Sequence, residues 1–143
     1  MLSKKVKSFL VEQGFYYEND DAAYTKVMND LGIPLDSDFA DFNMHTNCVT
    51  FSGRMYEIYN VCWFMLYSNY DLDLVAAREG LKLPQELIPL DSFEAEGGFF
   101  YNRKTGSVVE LELGDKLSNF LVGKLEPQWK SFNLFLEWYF ELK

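Results

Sequence analysis

The stretch from Ile88 to Leu113, IPLDSFEAEGGFFYNRKTGSVVELEL, narrows the possible folds more than any other part of the chain. Val109, Leu111 and Leu113 alternate with Glu110 and Glu112. Successive strand side chains point to opposite faces, so this pattern predicts a strand with one apolar and one acidic face. Such a strand is expected to lay its apolar face on a core, here the C-terminal helix, and to keep the other in water. Gly98 to Tyr101 reads as a second, aromatic strand. Asn102 to Ser107 holds turn residues, and Gly106 takes a positive φ at no steric cost. Together they predict a β-hairpin with a loop of about five residues. Gly97-Gly98 before it suggests a bulge or a sharp entry bend. A phosphate-cradling loop would need more glycines and a following helix, and here a strand follows.

Helical periodicity dominates the first third of the chain. Leu2, Val6, Phe9, Leu10 and Gln13 recur on one side, with Lys4, Lys5, Lys7 and Glu12 on the other, and Gly14 ends the pattern. Asp20 or Asp21 is a suitable N-cap for a second helix carrying Tyr24, Val27, Met28 and Leu31, which Gly32 and Pro34 stop. Asp36 or Ser37 caps a third helix, with Phe39 and Phe42 facing inward. From Thr50 to Leu66 the aromatic and β-branched content favours buried strand, as a pair turning near Gly53, although periodicity also allows a buried helix. Asp71 or Asp73 caps a short helix ending at Gly80, and Pro84 and Pro89 interrupt the chain before the hairpin. Gly114 to Glu126 reads as a connector. In the last segment Lys130, Asn133, Glu137 and Glu141 form one narrow polar stripe on an otherwise apolar helix, capped by Ser131 or starting at Pro127. Such a helix is expected to be core, with the Leu134–Trp138 flank the one stretch suited to a partner. Helices, then strands, then a last helix predict a single α+β domain over residues 1–143, with an antiparallel sheet flanked by N-terminal helices and a C-terminal helix.

The 143 residues can bury roughly two thirds of their unfolded surface, enough for a core without staples. No stretch approaches the ~18 apolar residues of a membrane span, and no signal-peptide pattern follows the N-terminal lysines, so a cytoplasmic protein with no membrane partner is expected. Cys48 and Cys62 are too few for a disulfide framework. The net charge of −9, from 22 acidic and 13 basic residues, argues against direct nucleic-acid binding and suits a basic protein partner. Between Glu18 and Asp41 the acidic residues face one lysine, Lys26; the commoner reading is a solvated helix face, the sharper one an acidic docking surface.

Chemistry-bearing residues are sparse. His45, Cys48 and Cys62 supply one short ligand pair and a lone thiol, whereas structural zinc needs four ligands, so no metal or other cofactor is expected. A Cys–His nucleophile would need an accompanying donor set that the sequence does not show. Asp91, Glu94 and Glu96 beside the glycines are the best acid–base candidates, but loop carboxylates this close are more often simply solvated.

Three blocks carry a family resemblance. Leu31-Gly-Ile-Pro34 followed by Asp38-Phe39 and Phe42 resembles the opening of the SUKH superfamily. Ile88-Pro89 leading to Glu96-Gly97-Gly98, Tyr101 and Gly106-Ser-Val108 resembles its central strand pair, and Ser131-Phe132 with Phe135-Leu136 its closing helix. The Asn-Gly that often follows the first block is missing, and Arg54 to Glu86 carries none of the resemblance. The resemblance implies an α+β domain without a known catalytic centre. Bacterial members look like immunity proteins that neutralise toxins, often nucleases; fungal relatives look like regulators or scaffolds of glucan synthesis. The expected function is therefore non-enzymatic binding of a basic partner such as a cognate toxin, with a regulatory scaffold as the alternative. Asp36, Asp38 and Asp41, then Glu94 and Glu96, are the expected contact residues.

Overall fold

The computed structural model describes residues 1–143 as one α+β fold of seven α-helices and two small antiparallel sheets. The N-terminal helices follow the sequence grammar closely. In α1 (Lys4–Glu12) the Ser3 side chain accepts from the Val6 N–H, and Val6 and Leu10 are buried. In α2 (Ala22–Asp30) the Asp21 carboxylate accepts from Ala23 and Tyr24, and Gly32 follows the helix at φ 73°. In α3 (Asp38–Met44) the cap is Ser37 rather than Asp36, and Phe39 and Phe42 are fully buried. These caps satisfy amide donors that a helix start would otherwise leave unpaired.

The middle of the chain departs from expectation. Thr50–Phe51 (β1) and Ile58–Tyr59 (β2) do pair as a short antiparallel hairpin around Gly53. The apolar run after it is a helix, α4 (Val61–Tyr67), not buried strand. Asn60 decides this: its Oδ1 accepts from the Trp63 N–H, while its Nδ2 donates to the carbonyls of Asn43 and Thr46. Next, α5 (Tyr70–Val75) begins behind Asn69, so neither Asp71 nor Asp73 is its cap; it runs on as a π-helical turn, Ala76–Gly80. The expected connector after Gly114 contains α6 (Asp115–Leu121).

The main sheet has the order β3-β4-β5, from Leu87–Pro89, Gly97–Asn102 and Val108–Glu112. Pro89, which has no N–H to give a ladder, lies on the edge strand β3. The loop Arg103–Ser107 closes the β4–β5 hairpin where the sequence places it, with Asn102 Oδ1 accepting from Lys104 and Thr105. Gly97 and Gly98 are in continuous register with Glu112 and Leu111, so they form no bulge. Their lack of Cβ serves close approach: a methyl on Gly98 would drive into the Asp91 carboxylate, and one on Gly97 into the Tyr56 hydroxyl.

Alternation in β5 is real, but its apolar face points away from α7 (Phe132–Tyr139). Val109 and Leu111 pack with Phe100, Leu87, Leu83 and Ala77 in a small cluster under α6. Leu113 is exposed. The face toward α7 is made by Phe99, Tyr101 and Val108, which join Phe132, Phe135 and Tyr139 in the principal core. The sheet is thus covered on both sides, and the half-buried Glu110 pairs with Lys116 of α6 at 3.1 Å instead of facing water alone. Helix α7 is capped by Ser131, and its polar stripe has work on α1: Asn133 Oδ1 accepts from the Ser3 N–H and Glu137 from the Ser3 hydroxyl. At its other end Tyr139 donates to the carbonyls of Phe51 and Tyr56, tying α7 to the β1–β2 hairpin.

Candidate functional site

The expected contact residues fall into two unequal sets. On α3, Asp41 is a buried structural acid: its carboxylate accepts from the Leu2 N–H at 3.0 Å and from the Tyr16 hydroxyl at 2.9 Å. That removes it from any docking surface. Burial, and then Asp41, hold the Tyr16 hydroxyl above its ordinary range. Asp38 is half-buried and accepts from the amides of Phe39 and Asn133, which ties α3 to the start of α7. Only Asp36 of this set is exposed. Glu94 and Glu96, by contrast, are both exposed on the loop between β3 and β4.

That loop forms one wall of a cleft of about 370 Å³. The opposite wall is the β1–β2 hairpin, through Thr50, Tyr56, Glu57 and Tyr59, with Phe64 of α4 beside it. Tyr59 and Phe64 are stacked, with ring centroids 3.7 Å apart. The Tyr59 N–H donates to the Leu90 carbonyl at 2.8 Å, which fixes the spacing between the walls. Glu57 is positioned by the hydroxyls of Thr50 and Ser52, at 3.3 and 3.4 Å. Asp91, Ser92, Phe93, Glu94 and Ala95 complete the lining, which contains no lysine or arginine.

Asp91 holds the loop in shape. Its two oxygens accept from the Phe93 and Phe99 amides, at 2.9 and 3.0 Å. Burial pushes its carboxyl up to about 7, against those two donors, and the charges of Asp73 and Glu94 add to the rise. Asp73, behind the cleft, is likewise raised by burial, and its Oδ2 has no hydrogen-bond partner. Of the acid–base candidates, Asp91 and Glu94 line the cleft and Glu96 does not. A carboxyl near neutrality is a recurrent feature of general acids. Here both Asp91 oxygens are committed to backbone amides, the geometry of a loop staple.

The remaining candidates are dispersed. His45 places Nδ1 3.0 Å from the Tyr17 carbonyl and Nε2 3.3 Å from Asp20 Oδ1, while Cys62 is buried against the Tyr24 carbonyl and Cys48 lies beside Asn47. No three His, Cys, Asp or Glu side chains converge as a metal-binding group. No helix is long and apolar enough to cross a membrane. Tyr56, Glu57, Tyr59 and Phe64 were not singled out from the sequence. The one local trace of them is Asn60, a residue type suited to a helix cap between the hairpin of Tyr56 and Tyr59 and the helix of Phe64, but the apolar run after it does not by itself distinguish helix from strand. Searches of protein-family models, curated proteins and solved structures return no match to the chain.

Proposed function

We propose that this protein is a non-enzymatic binding module that docks on a basic protein, in the manner of an immunity protein that neutralises a cognate toxin. The observation that carries the reading is the cleft between the β1–β2 hairpin and the 91–96 loop: carboxylates and aromatic rings line it, and no cation does. The net charge of −9 has the same sign and would speed encounter with a positive surface. A nuclease cleft is one such surface, because it must attract phosphates. Glu57 and Glu94 are the contact carboxylates this reading favours, with Glu96 beside them and Asp36 as a separate exposed acid; Asp41 has no part in it.

The test is co-expression with a toxin-like protein encoded in the neighbouring reading frame. Rescue of growth that is lost in Glu57→Lys/Glu94→Lys, with the fold intact by circular dichroism, supports the reading. The association rate should fall as salt rises. If there is neither rescue nor a complex at low salt, the reading fails and a regulatory scaffold takes its place.

A further inference from the structure

We propose that the cleft between the β1–β2 hairpin and the 91–95 loop is a receptor for a guanidinium group, the side chain of an arginine presented by a protein partner. The inference rests on the binding-module reading and gives it a chemical anchor. The volume of about 370 Å³ lies at the low end of the roughly 300–1,000 Å³ typical of ligand sites, suited to one side chain rather than a large molecule. Tyr56, Tyr59, Phe64 and Phe93 contribute to the lining, and the Tyr59 and Phe64 rings are already stacked on each other there. A cation over such faces gains from the ring quadrupole, and a planar guanidinium also stacks.

Charge complementarity selects the occupant. The ion pairs that lysine and arginine make in the fold engage Glu18, Asp30, Glu110, Glu112, Glu137 and Glu141. Glu57 and Glu94 take part in none of them. Glu57 is held in place by two hydroxyls, so less side-chain freedom is lost when a donor arrives. A neutral aromatic ligand would leave these carboxylates without a counter-charge. A lysine ammonium would meet the charge, but it is more strongly hydrated and cannot lie flat on the rings.

Amide-resolved NMR titration of the full chain with N-acetyl-arginine amide tests this without any partner. Shifts confined to Tyr56–Tyr59, Phe64 and Asp91–Ala95 are expected. The neutral isostere N-acetyl-citrulline amide should bind about tenfold more weakly or not at all, and N-acetyl-lysine amide less well than the arginine probe. Glu57→Gln/Glu94→Gln, both at exposed positions, should weaken the arginine probe by about tenfold while leaving other amides in place. Free L-arginine should bind no better than the blocked probe, since its α-ammonium and α-carboxylate largely offset each other beside the cleft's own charge. Equal binding of arginine and citrulline probes, shifts elsewhere on the surface, or no shifts would overturn the proposal. So would tighter binding of free arginine, which would mark a small-molecule receptor. A toxin complex that forms despite a silent cleft would sink this inference alone; cleft shifts without any complex would sink the binding-module reading alone.

Discussion

Asp41 shows how much one carboxylate's meaning depends on where the chain puts it. In the sequence it is one acid among several between Glu18 and Asp41; in the fold it bonds the Leu2 amide, ahead of α1, and the Tyr16 hydroxyl to α3. The spacing gave a warning, because Asp41 lies between the inward-facing Phe39 and Phe42 on a short helix. Asp41→Ala should strand two donors and cost about 1–3 kcal/mol, whereas Asp36→Ala should stay within about 0.5 kcal/mol in urea titrations. Equal effects would mean that Asp41 is solvated after all. Asp91 makes a second residue-scale prediction. Its folded pKa of about 7 lies above the usual carboxylate value, so between roughly pH 4 and 7 the folded state binds the extra proton. Stability from this group is therefore greatest below that window and declines as pH rises through 7. Asp91→Asn removes the titration and resembles the protonated form. Urea midpoints should shift in the variant's favour, relative to wild type, between pH 5 and pH 8; a constant difference would show that Asp91 titrates normally.

Whether an element could be read from sequence depended on whether its boundary chemistry was local. The first three helices and α7 carry side-chain caps of Asp21, Ser3, Ser37 and Ser131 next to a clear periodicity, and all four were legible. The β4–β5 hairpin was legible because Asn102 and Gly106 mark its turn. Helix α4 was not, because an apolar run of its length suits strand and helix equally. What separates the two is Asn60, whose amide is bonded to residues 43 and 46, contacts that no local pattern reveals. Asn60→Ala removes both the cap and that buried tether and should cost about 2 kcal/mol or more. Asn69→Ala, at a helix start with no side-chain cap bond, should cost about 0.5 kcal/mol or less. A comparable loss for both variants in thermal unfolding would mean that Asn60 acts through packing alone. The cleft depends on this same junction, since Tyr59 and Phe64 flank Asn60 from opposite sides. Its geometry was unreadable for as long as the helix start was.

At the scale of the molecule, the sheet separates two cores of unequal size. The principal one gathers 26 buried residues from the N-terminal helices, α7 and one sheet face, while the other holds six beneath α6 and the π-helical turn. The period-two pattern of β5 found the apolar residues but could not say which side the last helix takes, because alternation fixes relative faces and not their partners. Leu111 is fully buried, so Leu111→Ala should still cost roughly 2–5 kcal/mol, through the smaller cluster and not through Phe135. The unequal cores also predict unequal local stability. Helix α6 contributes no buried residue, and the turn at 76–80 contributes Ala77 alone. Few buried contacts make for low-energy opening, so native-state hydrogen exchange should release α6 and 76–80 through sub-global openings, well before α7 and β4. Leu111→Ala should enlarge that gap, because the cluster it belongs to is the one that opens. The proposed cleft is framed by β1–β2, α4 and the 91–95 loop, and α6 supplies none of its lining. The one link is Phe93, which lines the cleft and packs against the smaller cluster, so destabilising α6 should change the arginine-probe response at Phe93 while leaving that of Tyr56–Tyr59 and Phe64 unchanged. If α6 and α7 amides instead exchange together at the global rate, the two clusters form one cooperative unit, and a change under α6 should then reach the rest of the cleft.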